Sequence, residues 1–342
     1  MDISTTYMGI PLKNPIIVGS SGLTATVEGV TRLAEMGAGA VVLKSLFQEE
    51  ITLETDKAVE EARQSDGSVA WFDYNGRQTP MEFYGYKVKE DNLARYSQLI
   101  TQCRENVSIP VIASINCASD SLEWISFAKE VEKAGAQALE LNMFFPPTRF
   151  GQTPQEKETL YFKVIAQILK TVTIPVALKI SHYFTDLAPS IQRLSTSGIG
   201  GLVLFNRFFS PDIDITKLEV TPSHLFSTPA EMSLPLRWIA IMANKSSCDL
   251  VASTGVHDGE SVVKQILAGA QAVQVVSTLY KNGIKHLPVM IDTLETWMGS
   301  KGIKTIEDFR GRLAQESTTD PSVYERAQFM KYFADKRQVK AL

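Results

Sequence analysis

Residues 110–142 read PVIASINCASDSLEWISFAKEVEKAGAQALELN. The stretch opens with a short apolar run rich in β-branched residues, Pro110–Ile115. It passes into a segment with helical apolar spacing that stops at Gly135, and closes on a second apolar run, Ala136–Asn142. Strand, glycine-terminated helix and strand again is the grammar of a parallel sheet covered by helices. The same grammar recurs in both directions: VEGVTRLAEMGAG stops at Gly37 and SVVKQILAGA at Gly269. Eight strand-like runs result, namely Pro15–Val18, Ala38–Lys44, Pro110–Ile115, Ala136–Asn142, Ile174–Ile180, Gly200–Phe205, Asp249–Ser253 and Ala270–Ser277. Eight closes a barrel, so the expected fold is α/β, a (β/α)8 TIM barrel with residues 1–342 as one domain. Long loops are expected after strand 2 (Ser45 to about Asp91), after strand 4, and after strand 6 (Asn206 to about Met232), on the side where barrel active sites form.

The composition supports a packed globular chain: 342 residues, 44% hydrophobic and 21% charged. The net charge of -4 comes without a basic block, which argues against nucleic acid as a partner. Cys103, Cys117 and Cys248 form no CxxC pair and lie far apart, so neither a disulfide framework nor a zinc site is expected. The N-terminal stretch MDISTTYMGIPLKNP has no apolar signal core, and no window approaches the roughly 18 apolar residues of a membrane span. The reading is a soluble, cytoplasmic protein with no membrane contact. The four histidines, His182, His224, His257 and His286, lack metal-ligand spacing, and no GxGxxG, Walker loop or GxSxG elbow is present. No metal is expected.

In a barrel, side chains at the C-terminal strand ends converge on one mouth. Here they include Ser20, Ser21 and Gly22 after the first run, Lys44 and Ser45 at the second, Asn116 at the third and Asn142 at the fourth. Lys179 and Ser181 follow at the fifth, Asn206 and Arg207 at the sixth, Ser253, Thr254 and Gly255 at the seventh, and Ser277 and Thr278 at the eighth. Two lysines in a low-dielectric rim are costly unless an anionic partner meets them, although each ammonium can also snorkel to water. The loops after strands seven and eight are the usual phosphate cradle of such barrels. Gly255 would allow close approach there, with Ser253 and Ser277 as hydroxyl donors. Asp258 reads as a helix N-cap, and His257 either touches the phosphate or is structural.

The ordered series KNPIIVGSSG, VVLKS, ASIN, ELN, ALKI, FN, STG and QVVST resembles the dihydroorotate dehydrogenases, in particular the soluble, class 1-like members, from about Tyr7 to Phe309. Each motif is short; their order and placement on successive strands make the set specific. The resemblance implies bound FMN, a dihydroorotate-like small-molecule substrate, oxidation of dihydroorotate to orotate in pyrimidine biosynthesis, and a homodimer. Carried over, it places Ser20, Ser21, Gly22 and Ser45 around the flavin, with Lys44 and Lys179 as the catalytic pair touching its ring. Asn142 would meet flavin and substrate, Asn206 and Arg207 the substrate, and Thr254, Gly255, Ser277 and Thr278 the phosphate. A fixed cation beside the ring has its own rationale, because reduced flavin carries negative charge there.

The sequence departs from that pattern on the substrate side. Where soluble members continue from the fourth strand with Asn, two residues, a catalytic cysteine, Pro and Asn, this chain reads Asn142, Met143, Phe144, Phe145, Pro146, Pro147. Phe145, at the position of the usual base, cannot accept a proton, and general base catalysis typically contributes ~10²–10⁴-fold. The loop after the second strand is WFDYNGRQTPMEFYG, and STPAEMSLP stands where a glycine pair is expected. Cys117 is a candidate substitute base or buried filling; Tyr74 and Tyr84 are candidate site or lid-packing residues; Arg207 binds a substrate carboxylate or forms a structural salt bridge. A cysteine restored at position 145 is expected to raise dihydroorotate turnover. Two alternatives stand beside the FMN oxidoreductase: an FMN-binding homologue without activity, and a phosphate-binding barrel lyase or isomerase using Lys179 as a Schiff-base nucleophile.

Overall fold

The structure, a computed structural model, describes residues 1–65, 80–117, 122–145, 147–148, 150–208, 210–223 and 225–325. A short antiparallel hairpin, β1 (Thr5–Tyr7) and β2 (Ile10–Leu12), precedes the sheet. Then come β3 (Ile16–Val18), β4 (Ala40–Val42), the two-residue β5 (Leu46–Phe47), β6 (Val111–Asn116), β7 (Ala138–Asn142), β8 (Val176–Ile180) and β9 (Gly201–Leu204). A second antiparallel hairpin, β10 (Ser210–Asp214) and β11 (Glu219–Ser223), interrupts the series before β12 (Asp249–Ser253) and β13 (Ala272–Val275).

Strands β3, β4, β6, β7, β8, β9, β12 and β13 pair in parallel, and β13 returns to β3, closing a (β/α)8 barrel. The eight strands fall inside the eight runs of the sequence apart from the last residue of β6. The helices Val27–Glu35, Glu123–Lys133 and Gly259–Ala268 lie where glycine stops and apolar spacing put them. Two apolar layers result from the strand period of two. Ile16, Val18, Val41, Val111, Leu139 and Leu178 face the helices. Ile17, Val42, Ile112, Ala138, Ala177, Val203, Val251 and Ala272 fill the barrel interior together with Tyr7, Met8 and Leu12 of the first hairpin. That hairpin plugs the N-terminal end. Met8 donates its N–H to the Asp249 carboxylate at 2.7 Å, and the Tyr7 ring lies so close to Gly201 that a Cβ there would sit 2.6 Å from it.

One step further along the same inward faces, two residues toward the mouth, the side chains change from apolar to polar: Ser114, Glu140, Lys179, Ser253 and Gln274. The apolar base and polar mouth of one barrel are thus written as alternate residues of the same strands.

The segment from Ser45 to Asp91 differs from the expected loop. It carries a helix at Gln48–Ser65 and the start of a second at Pro80–Asn106, which pack on each other. The first is predominantly polar, and among its described side chains only Ile51, Thr55 and Val59, one turn apart, are buried. That sparse stripe hid it. Tyr74 and His224 lie outside the described residues, as does most of WFDYNGRQTPMEFYG. The connection after β9 carries the hairpin β10–β11. Among the described residues no helix is long and apolar enough to cross a membrane, and no group of three or more His, Cys, Asp or Glu is placed to hold a metal.

Candidate active site

A cavity of about 400 Å³ opens at the C-terminal ends of the strands, within the size range of small-molecule sites. Its wall includes Ser20, Ser21, Gly22, Lys44, Asn142, Lys179, Asn206, Arg207, Thr254, Gly255 and Ser277, eleven of the thirteen residues that the family resemblance carries to the site. Ser45 and Thr278 stand one layer behind. The Ser45 hydroxyl links those of Ser20 (3.0 Å) and Ser114 (2.7 Å), and Thr278 donates to the carbonyl of His257 at 2.8 Å. Both brace the wall rather than form it.

The floor is Lys179. Parallel pairing sets Asn142 opposite Lys179 in the β7–β8 register, so both reach the mouth at one level. The Lys179 ammonium donates to Gln274 Oε1 at 2.8 Å, and Gln274 Nε2 donates to Glu140 Oε2 at 2.5 Å. Burial lowers the Lys179 pKa below its ordinary 10.5, while Glu140 pulls it back up. Asn206 caps the end of β8: its N–H bonds the Ile180 carbonyl at 2.8 Å and its amide the Lys179 carbonyl at 3.4 Å.

Lys44 answers the burial argument differently. Its ammonium pairs with Glu50 at 3.0 Å, at a rim where 42% of the lysine side chain is exposed, so a carboxylate of the chain itself meets its charge.

On the opposite wall, Leu225–Glu231 forms a strap over the loops after β12 and β13. Arg207 holds it, with Nε on Glu231 at 2.9 Å and the terminal nitrogens on the carbonyls of Leu225 (3.0 Å) and Phe226 (3.3 Å). This is the salt-bridge alternative for Arg207. Lys281 donates to the Ser227 carbonyl at 2.7 Å, the Ser227 N–H to Ser277 Oγ at 3.0 Å, and Ser227 Oγ meets His257 Nε2 at 3.0 Å. His257 is therefore buried structure beneath the strap, and burial followed by Lys281 lowers its pKa. Thr254 and Gly255 both adopt positive φ, 82° and 78°. A Cβ on Gly255 would collide with the backbone of Met232, so the close approach this glycine allows in the structure is that of the strap's end. Asp258 caps its helix, accepting from Ser261 N–H at 2.7 Å.

The strap, Gln274 and the wall residues Phe47, Leu225, Ser227, Val256 and Val276 escaped the sequence reading. Two signals were available. Thr228 and Glu231 form a capping box, the S/T-x-x-E pattern of a helix start, and Gln274 is a lone polar residue at an inward strand position in AVQV.

Phe145 does not face the cavity. It lines a neighbouring space of about 820 Å³ between the helices Pro154–Leu169 and Leu187–Ser195, packed against Tyr161. The expectation that a cysteine at 145 would meet a substrate in the mouth is therefore not met by this geometry. Cys117 is buried, and burial pushes its thiol well above its ordinary 9.0, which makes it filling rather than a base. Tyr84 lies in the helix Pro80–Asn106 and is not part of the cavity wall. Among the described residues the wall contains no Asp, Glu, His or Cys. It offers cations and hydroxyls: Lys44, Lys179 and Arg207, with six Ser or Thr side chains.

A parallel (β/α)8 barrel with a polar cavity at its mouth is the architecture of many barrel enzymes, whose sites lie at that end. The comparison with known families narrows this: the dihydroorotate dehydrogenase family matches residues 2–298, and the chain belongs to that family. It is similar to a chloroplastic NADP(+) dihydropyrimidine dehydrogenase of Arabidopsis thaliana, 26% identical over 345 residues covering 95% of this chain and 80% of the relative. It is also similar to the catalytic subunit of an NAD(+) dihydroorotate dehydrogenase B of Thermoplasma volcanium, 27% identical, covering 91% and 98%. A fumarate-type dihydroorotate dehydrogenase A of Limosilactobacillus reuteri matches at 27%, covering 88% and 94%. The chain is accordingly an oxidoreductase of the dihydroorotate dehydrogenase kind, the class that acts on CH–CH bonds.

Proposed function

We propose that the chain binds FMN in the barrel mouth and oxidises or reduces a dihydropyrimidine-like ring, with dihydroorotate a poor substrate. The observation that carries this reading is the convergence of three cations and a hydroxyl wall on one cavity whose floor lysine is held from below. The donor set suits the group. Ser21 Oγ is buried with no partner, Ser20 and Ser277 present hydroxyls, and Lys179 brings a positive charge to the floor. FMN, when bound, supplies acceptance and delivery of hydride. Lys179 would stabilise negative charge on the reduced ring, and Asn142 and Asn206 would orient the amide edge of a substrate.

The described wall holds no carboxylate, imidazole or thiol, so the C–H deprotonation of dihydroorotate has none of these groups there to act as base. That same observation favours, as a second reading, an FMN-binding homologue that turns nothing over. We read the chain as one cytoplasmic domain, for which the three free cysteines are consistent with a reducing compartment.

The test is the absorption spectrum of purified protein, followed by denaturation and anaerobic titration with a panel of dihydropyrimidines. A flavin spectrum, released FMN and bleaching by a member of the panel are expected. Absence of FMN overturns the cofactor assignment, and a flavin that no dihydropyrimidine bleaches favours the inactive homologue.

A further inference from the structure

The barrel interior holds a carboxylate that nothing in the reaction above uses. Glu140 is 1% exposed, and among the described residues its Oε2 accepts only from Gln274 and its Oε1 has no partner. A half-satisfied buried carboxylate is destabilising and calls for a reason. The reason lies in where Gln274 sits. Strand β13 is four strands away from β7 and three from β8 in the closed order, so the Gln274 side chain crosses the barrel to reach both. Its two ends are used in opposite senses: the amide oxygen takes the Lys179 ammonium and the amide nitrogen gives to the Glu140 carboxylate. The reverse orientation would set N–H against N–H and oxygen against oxygen, so the two partners fix the amide.

We propose that Glu140, acting through the Gln274 amide, is a positioning residue that keeps Lys179 an ammonium aimed at the floor of the cavity. The proposal rests on the FMN reading for its readout but on the barrel interior for its argument. Desolvation disfavours the charged lysine, and the other two cations that line the cavity are Lys44 and Arg207. Those two are paired with Glu50 and Glu231. The N-terminal hairpin contributes Tyr7 from below, a phenol whose ionisation is disfavoured by burial and then by Glu140. Glu140 is thus the anion that supports Lys179. Without it the lysine loses its proton at lower pH, and the charge that stabilises a reduced flavin goes with it.

The test measures the midpoint potential of the bound flavin against pH in the wild type, Glu140→Gln, Gln274→Met and Lys179→Met. The wild type is expected to show a break where the lysine deprotonates, and Lys179→Met none at that pH. Glu140→Gln, nearly isosteric, is expected to move the break down by about 1–3 pH units, the range for a nearby opposite charge. Gln274→Met keeps both charges but cuts the bridge and is expected to move it in the same direction by less, which covers the case of a Glu140 variant that does not fold. A break at the wild-type pH in either folded variant overturns the proposal. Absence of flavin from the wild type overturns the FMN reading instead, and the two failures are distinct.

Discussion

The ring of Phe145 meets that of Tyr161 edge to face, with centroids 4.8 Å apart and planes at 79°. The contact packs the segment after β7 against the helix Pro154–Leu169, and the residue at the family's base position lines the space there rather than the mouth. Phe145→Cys is therefore expected to leave dihydroorotate turnover at the wild-type level, and Phe145→Ala to cost about 3 kcal/mol of stability as a buried aromatic truncation. Initial rates and urea unfolding read the two. A rise in turnover on Phe145→Cys would show that the side chain reaches the substrate after all.

Lys179→Ala removes the floor cation. We expect FMN to bind at least tenfold more weakly, about 1.5–3 kcal/mol for a lost charged hydrogen bond, and its potential to fall, because the oxidised ring loses less than the reduced one. Fluorescence titration and spectroelectrochemistry report these; an unchanged potential would remove Lys179 from the flavin site.

Acid should loosen the strap. Burial opposes the charge of Glu231, but the Thr228 N–H and hydroxyl and the Arg207 guanidinium outweigh it and hold the carboxyl below its ordinary 4.5. A depressed acid contributes stability that is fully present above about 4.5 and disappears as pH falls through the folded-state value. Hydrogen exchange in residues 225–231 is therefore expected to accelerate relative to the barrel strands below about pH 4.5, and Glu231→Gln to show the faster exchange already at pH 7. Protection that does not change between pH 7 and 3.5 would rule out this latch.

Gly255→Ala is expected to destabilise by more than about 2 kcal/mol, since alanine must adopt a left-handed φ and meets the Met232 backbone. Thermal unfolding measures the loss. Gly22→Ala is the milder neighbour, because its Cβ meets only the Tyr280 hydroxyl, at 2.7 Å, the end of a side chain that can swing. Equal losses in the two would contradict the strap geometry.

The barrel was legible because each strand carries its own evidence: a β-branched run, a helix spacing after it, a glycine stop between. The mouth was legible for a related reason, since strand ends converge whatever the loops do, and this brought Ser20, Asn142, Lys179 and Ser277 together. What stayed hidden depends on partners distant in sequence. Nothing in QVVST says that Gln274 reaches Lys179, 95 residues away. Nothing near Arg207 says that its fork closes on Leu225, Phe226 and Glu231. The direction of Phe145 depends on Tyr161, a residue on the following helix. The pairing of Lys44 with Glu50 stayed hidden because Glu50 sits on a helix too polar to be recognised.

The plug formed by Tyr7, Met8 and Leu12 closes the N-terminal end of the barrel interior. A small molecule that reaches the barrel then comes from the mouth side, where the strap and the polar strand ends stand. Selection would be exercised in one place, by the strap Leu225–Glu231 on one wall and the polar strand ends on the other.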